Sequence, residues 1–346
     1  MALNINESNL STNAIFGPFN DEYTALINAG ISPIFVIPGI ICSSIAIIGI
    51  PLNISVCYIT VKYRKKYSAL SSNTSILMIF NSFYEILHQS NHFYFLSVAL
   101  SGRNLIPFGK SVFFNAHSIV GYFSALFMFN LLSIDRLIAA VFPIYYQCIN
   151  KKKYISLHVA IILFHGSFIL FKIVYSAIKF PDVLVDGNLN SVIGVMYNEG
   201  VIISMLISPF VYAPALISYL IVAVILKIRE GKLFNTPSDQ SMSKVYRSLF
   251  LIVLVNMGSY AFGFIMFTLF NILTNLNYIS FNLLNFTISG TIGGIFVNIG
   301  SASNAPILYI NSSDYKKAYK KEFKFIESLF LSKWLGKQQS TVHPIS

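Results

Sequence analysis

Between Ser248 and Ser313 the chain runs for 66 residues without a charged side chain. As one α-helix that stretch would be about 99 Å long, roughly three times the thickness of a bilayer's hydrocarbon core. Its middle, Asn271 to Asn285, mixes Asn, Thr and Ser with the apolar residues and reads as a turn. The stretch is therefore two membrane crossings. Tyr23 to Val61 is also free of charge. Further candidates lie at 70–100 (interrupted by Glu85), 112–142 (ending in Asp135–Arg136), 154–178 (interrupted by Lys172) and 200–226. Each supplies the ~20 mostly apolar residues a helical crossing needs, which makes seven spans in all. A transmembrane β-barrel would show short alternating segments, whereas these runs are unbroken.

Composition closes the other routes. Only 11% of residues are charged and 55% are hydrophobic, against about 25% charged in soluble domains. A pair of soluble domains, which the length would allow, lacks the polar surface it needs. Disorder is excluded by 31 Phe and 20 Tyr beside so little charge. Met1 to Asn20 holds no Lys, Arg or useful apolar run, so no cleavable signal peptide is expected there and the first span inserts the chain.

The net charge of +11 has a location. The connections after spans one, three and five hold Lys62, Arg64, Lys65, Lys66; Arg136, Lys151, Lys152, Lys153; and Lys227, Arg229, Lys232, Lys244, Arg247. The tail adds Lys316, Lys317, Lys320, Lys321, Lys324, Lys333 and Lys337. The opposite face has Arg103, Lys110 and Lys179, with Lys172 inside span four. By the positive-inside rule the N-terminus is outside and the tail cytosolic. The charge thus marks a face apposed to anionic lipid and cytosolic partners, not one that binds nucleic acid. The expected divisions are an extracellular segment 1–32, a seven-helix domain 33–311 and a cytosolic helix and tail 312–346. The glycosylation sequons at Asn6 and Asn9 fall outside, and those at Asn73 and Asn311 fall inside, where they are silent. Cys42 and Cys57 lie in span one and Cys148 in the second inner loop, none placed for an outer disulfide; Cys148 is a candidate for palmitoylation.

Two motifs sit at span ends. Span three closes on Asp135-Arg136-Leu137-Ile138-Ala139, then Pro143 and Tyr146. An adjacent acid and base at the boundary can hold each other and exchange partners when helices move, or simply form an interfacial pair reaching water. Span seven closes on Asn304-Ala305-Pro306-Ile307-Leu308-Tyr309, where Pro306 permits a kink beside polar groups. After the Ser312-Ser313-Asp314 cap, Tyr315, Tyr319, Phe323 and Ile326 alternate with lysines, as in an amphipathic helix lying on the inner leaflet.

With these residues in view, the chain resembles a rhodopsin-like G-protein-coupled receptor, and within that fold a nematode serpentine chemoreceptor of the Srsx class. The resemblance spans residues 33–326. Asp135-Arg136-Leu137-x-Ala139 is similar to the family's Asp-Arg-Tyr-x-Ala motif, and Asn304-Ala305-Pro306-Ile307-Leu308-Tyr309 to its Asn-Pro-x-x-Tyr motif. Asp314-Tyr315-Lys316-Lys317-Ala318-Tyr319 is similar to the class's tail opening. Gly49-Ile50-Pro51-Leu52-Asn53 resembles the span-one signature, and Glu85 takes about the place of the family's buried acid. The resemblance implies an activation switch of Asp135, Arg136, Asn304, Pro306, Tyr309, Asn53 and Glu85. It also implies a heterotrimeric G protein as cytosolic partner, an external small ligand of odorant or pheromone type, and residence in the plasma membrane of sensory neuron cilia. A neuropeptide is the competing ligand. A transporter or channel is the competing class, although no repeat relates the two halves. Departures are plain: Ser111 stands near the usual bridging cysteine, Leu137 replaces a tyrosine, and span six, Val245 to Leu273, has neither Trp nor Pro.

The pocket expected among the outer halves of the spans has as candidates His88, His92, His117, Tyr122, Tyr212, Tyr260 and Asn285. Each is first an interhelical hydrogen-bonding group and second a ligand contact. Lys172 and Glu85 stand out because charge within lipid is costly. Residues 285–311 contain no lysine for a retinal Schiff base, and Ser111 to Leu132 contain no acid for an amine. No enzymatic constellation, phosphate loop or cofactor motif is visible. His88 and His92 are spaced i, i+4 but lack the Glu of a zinc-protease helix. Gly293-Gly294 is expected to let helices approach closely.

Overall fold

The computed structural model of the protein describes residues 25–26, 29–196, parts of 214–225, 237–276, 278–279 and 283–339. The long helices are α1 (Pro33–Tyr63), α2 (Asn73–Leu100), α3 (Phe108–Val141), α5 (Lys151–Lys179) and α7 (Pro237–Asn275). Shorter α4 (Pro143–Cys148) and α6 (Leu189–Met196) lie between them, and α8 (Leu283–Ala302), α9 (Asn304–Asn311) and α10 (Ser313–Gln339) complete the order. Helical residues within 214–225 fall in the fifth expected span. The rest of that span, with Tyr212, lies outside the described residues, as do Asn6 and Asn9.

The bundle is built inside out relative to a soluble one. On α5, Leu157, Ile161, Phe164, Phe168, Phe171, Tyr175 and Ile178 follow 4-3-4-3-4-3 spacing, one helical stripe, and all are exposed. An apolar stripe of that length facing outward needs lipid as its solvent. Helix α2 does the reverse. Its buried side includes Asn81, Glu85, His88, Gln89, Asn91 and His92. Among the described residues, four helices are apolar and long enough to cross a membrane unaided: α1, α3, α5 and residues Leu254–Thr274 of α7. Helix α2 has the length but turns its polar groups toward its neighbours.

Small residues set the closest approaches. A Cβ on Gly121 of α3 would lie 2.7 Å from the His88 backbone nitrogen and 2.8 Å from the Tyr84 carbonyl. On the far side of the bundle, Gly293 of α8 meets Gly263 of α7, with 3.1 Å from its would-be Cβ to the Gly263 carbonyl. The close packing expected at Gly293-Gly294 is thus realised through a glycine partner on the neighbouring helix. Cys42 is buried, Cys57 half-buried and Cys148 exposed, and all three are free thiols.

Three boundaries differ from the sequence reading. Helix α7 starts at Pro237, well into the inner loop, because Pro fits the first helical turn and no residue from there to Asn275 breaks the helix. The turn expected over Asn271–Asn285 shortens, since helix continues to Asn275 and resumes at Leu283. The break in the last span falls at Ser303, three residues before Pro306. Pro306 therefore occupies the first turn of α9, where its missing N–H leaves no internal bond unmade.

The tail helix forms as the sequence suggests. Ser312, extended and accepting from the Tyr315 amide at 3.4 Å, caps α10 as the sequence suggests. Its apolar stripe, however, divides. Tyr315 and Tyr319 are buried against α1, whereas Phe323 is 58% exposed and Ile326 also faces outward. The buried face continues through Glu322, seven residues after Tyr315 and so on the same side of the helix. Tyr315 bonds Thr60 and Tyr319 bonds Ser55, each at 2.8 Å. Glu322 accepts from Tyr58 at 2.8 Å and Tyr63 at 3.0 Å and pairs with Lys62. Polar partners waiting on α1 rotate α10 onto the bundle and turn Phe323 outward.

The end of the bundle opposite the Asp135–Arg136 pair has no cysteine bridge and is fastened otherwise. Strand β1 (Ile106–Pro107) pairs antiparallel with β2 (Leu184–Val185). The Phe108 amide donates to Val183 at 2.7 Å and that of Gly109 to Pro181 at 2.9 Å. Asn115 and Asn91 both donate to the Gly187 carbonyl, at 3.2 and 3.4 Å. Beneath them Val183, Val185, Leu189, Val192 and Val195 pack on Phe108, Val112, Ile119, Ile169 and Ile173. Ser111, near the position of the usual cysteine, is buried and accepts from Asn115 at 3.2 Å. Asp186 caps α6 through the Asn188 amide and Ser191; burial raises its carboxyl above the usual range, opposed by those hydrogen bonds.

Candidate functional site

Glu85 stands midway along α2, fully buried, at a junction of three helices. Tyr260 of α7 donates to its Oε2 at 3.0 Å, Ser301 of α8 donates to the same oxygen at 2.5 Å, and His88 Nδ1 lies 3.3 Å away. Gln89, one helical turn after Glu85, donates to Ser301 at 2.8 Å. A buried carboxylate carries a large desolvation penalty, so such a set of donors is what allows it to persist there.

One turn further along α2 the candidate pocket residues gather. The His88 ring lies 5.1 Å from Tyr122, 6.0 Å from His92 and 6.2 Å from Tyr260, and Tyr122 lies 5.8 Å from Tyr260. His92 bonds Asn298 of α8 at 2.8 Å. Four of the sequence candidates, drawn from three helices, thus form one aromatic cluster directly above Glu85. Among the described residues, His117, Lys172 and Asn285 lie elsewhere. His117 is exposed between α2 and α3, bonded to Ser90 at 2.8 Å, because its position on α3 faces away from α7 and α8. Lys172 lies half-buried on α5, and Asn285 is half-buried near the start of α8.

On the other side of Glu85 an asparagine relay continues from Ser301. Asn53 of α1 donates to the Ser301 carbonyl at 3.0 Å. Asn304 donates to Asn53 at 3.2 Å, and Asn256 of α7 donates to Asn304 at 2.7 Å. Ser303, the residue at the helix break, donates to Asn256 at 3.1 Å. Asn256 carried no signal in the sequence beyond being a polar residue in an apolar run. Tyr309 takes no part in this relay; its ring lies 6.0 Å from that of Tyr319 on α10.

Near the C-terminal end of α3 Asp135 is fully buried. Its Oδ2 accepts from Arg136 Nη2 at 2.5 Å and Nε at 3.0 Å, and from Thr74 at 2.6 Å. Its Oδ1 accepts from Tyr146 at 2.7 Å and Tyr154 at 3.1 Å. The acid and base hold each other as their adjacency suggested. The three further donors, from α2, α4 and α5, lie far off in the sequence or outside the motif's core. Burial together with Asp135 pushes the Tyr146 phenol up to about 12, so it remains a donor at neutral pH. Along α3, Tyr122 and Asp135 are thirteen residues apart, about 20 Å at 1.5 Å per residue.

A helical bundle with lipid-facing apolar stripes, a polar centre and a caged acid–base pair at one end is a multi-pass membrane protein. The chain belongs to the serpentine type seven-transmembrane G-protein-coupled chemoreceptors of the Srsx family, whose family model matches residues 46–323. It is a G-protein-coupled chemosensory receptor with a seven-helix bundle. The family is a receptor class, not an enzyme class. No curated protein matches the chain.

Proposed function

We propose that the protein receives a small odorant- or pheromone-like molecule at the aromatic cluster of His88, His92, Tyr122 and Tyr260 and transmits it to a heterotrimeric G protein at the Asp135–Arg136 end. In this reading residues 1–32 are extracellular, 33–311 form the receptor domain and 312–346 lie in the cytosol, with glycosylation at Asn6 and Asn9. The basic inner loops and tail support that orientation. Sensory neuron cilia are the proposed site of action.

The observation that carries the reading is the sharing of Glu85 by Tyr260 and Ser301 directly beneath the cluster. A ligand that displaces the Tyr260 or His88 ring changes the bonds linking α2, α7 and α8. The relay through Asn53, Asn304 and Asn256 extends that linkage toward the inner end. Arg136, released from Asp135, would then be free to exchange partners as the inner face opens, because a ligand shifts the equilibrium only through such differential contacts. The cap over α2 and α3, bonded through Asn91 and Asn115, favours a small molecule over a peptide. Lys172 and Asn285 are secondary contact candidates.

Screening small volatile and secreted molecules on cells expressing the full chain tests this. An agonist is expected whose response is lost in His88→Ala and Tyr122→Ala at normal surface expression and kept in His117→Ala. A response indifferent to the first two would remove the cluster from the binding site.

A further inference from the structure

Two shallow grooves adjoin at the junction of α1 and α10. One, of about 430 Å³, follows α1 and is lined by Ile54, Cys57, Tyr58, Val61 and Lys62. The other, of about 440 Å³, is lined by Lys62, Tyr63, Lys65, Lys66, Lys321, Glu322 and Phe325. Lys62 belongs to both. An apolar track on the lipid-facing side of a span therefore runs directly into a basic basin at its end.

The charge in the basin does not cancel. Glu322 is its one acid, and it already serves Lys62, Tyr58 and Tyr63. Lys65, Lys66 and Lys321 are exposed beside it. Asp314, in the first turn of α10, accepts from the Ala69 amide at 3.2 Å. Glu327, five residues after Glu322, points about 140° around the helix from it at 3.6 residues per turn. Aromatic rings floor the basin: Lys321 Nζ lies 5.5 Å from the Tyr63 ring and Lys62 Nζ 5.3 Å from that of Phe325. Such side chains lay their stems on apolar surface and present ammonium groups at the rim.

We propose that this basin binds an anionic phospholipid, with its headgroup phosphates on Lys65, Lys66 and Lys321 and an acyl chain along Ile54, Cys57, Tyr58 and Val61. A free phosphate would use the basin and leave the track empty; a phospholipid uses both. The bound lipid bridges the turn after α1 to α10 and so holds the tail helix down at the inner leaflet. The assignment of that leaflet rests on the orientation proposed above.

The test uses the full-length protein in phosphatidylcholine nanodiscs carrying a small fraction of phosphatidylinositol 4,5-bisphosphate with a photoactivatable acyl chain. Crosslinks are expected within residues 54–66 and 321–325. The triple variant Lys65→Gln/Lys66→Gln/Lys321→Gln should lower labelling at least about tenfold. An equal charge loss elsewhere on α10, Lys317→Gln/Lys320→Gln/Lys324→Gln, should leave it within about twofold. Soluble inositol trisphosphate at the same concentration should not displace the lipid. Equal loss in both triple variants, equal labelling by a neutral phosphatidylcholine probe, or displacement by the soluble headgroup would each overturn the proposal. Circular dichroism and monodispersity of both variants guard against misfolding. Nanodiscs expose both faces equally, so the result is independent of orientation in cells, which protease protection of the tail tests separately.

Discussion

The phenol of Tyr260 lies 3.0 Å from Glu85 Oε2 and 3.2 Å from Oε1, so the acid of the second span is held by a donor from the sixth. Span six has no Trp-x-Pro pair, and Tyr260 stands instead at the contact between the aromatic cluster and the buried carboxylate. Removing its hydroxyl with Tyr260→Phe leaves Glu85 short of a donor at a site where a hydrogen bond to a charged group is worth about 1.5–3 kcal/mol. Thermal unfolding in detergent is expected to shift down by at least ~3 °C, with altered basal nucleotide exchange on Gα. An unchanged Tm would place the junction elsewhere.

Gly121 offers a sharper test of the packing. A methyl there must push against the α2 backbone, so Gly121→Ala is expected to cost about 1–3 kcal/mol and reduce surface expression. Gly166 of α5 is the comparison, since its added Cβ would meet Val120 at an ordinary 3.6 Å. Gly166→Ala should be tolerated. Equal effects of the two in a flow-cytometric surface assay would contradict the α2–α3 approach described.

Asp135 is bound by Arg136, Thr74, Tyr146 and Tyr154. In the switch proposed for it, weakening the cage frees Arg136. Tyr154→Phe removes one hydrogen bond to the carboxylate, and agonist-independent nucleotide exchange should rise about tenfold on the ~1.5 kcal/mol scale of such a bond. Asp135→Asn should raise it further. A fall in basal exchange with intact expression would show that the cage supports the active state instead.

Burial would raise the Glu322 carboxyl, but hydrogen bonds from Lys62, Tyr58 and Tyr63 outweigh it and hold the group below its ordinary range. With the docked value depressed, its contribution to docking is complete above the ordinary glutamate pKa and is lost as pH falls through the depressed one. The protection of amides across residues 313–326, corrected for the pH dependence of intrinsic exchange, should fall as the pH drops below the ordinary glutamate range. Glu322→Gln should abolish that dependence. A pH response retained in this variant would assign it to another group.

Cys42, Cys57 and Cys148 are free, and the outer cap rests on the β1–β2 ribbon with Asn91 and Asn115. A thiol reductant should therefore leave Tm unchanged, whereas Asn115→Ala, which leaves the Gly187 carbonyl with Asn91 alone, should lower it on the ~0.5–1.5 kcal/mol scale of one hydrogen bond. A reductant-sensitive Tm would reveal a covalent link.

The spans were legible because lipid imposes a length and an absence of charge that survive in a single sequence. Glu85, His88, His92, Tyr122 and Tyr260 were legible as polar exceptions within those runs. What the sequence did not carry is partner choice. Nothing local says that Asn256 will meet Asn304, or that Thr74 and Tyr154 will reach Asp135, since these contacts depend on helix rotation. His117 and Phe323 illustrate the same point from the other side. His117 stood among the pocket candidates, but Ser90 bonds it at the bundle's surface. Phe323 shared a stripe with Tyr315 and Tyr319, but α1's polar partners for those two and for Glu322 set the rotation of α10.

The most direct measurement is nucleotide exchange on purified Gα in proteoliposomes holding the full-length receptor and an agonist from the screen. Agonist should accelerate exchange with the wild-type chain, and Arg136→Ala, incorporated at equal level, should abolish the acceleration. Agonist-driven ion current or solute flux in the same vesicles without any G protein, with no effect on exchange, would contradict the account.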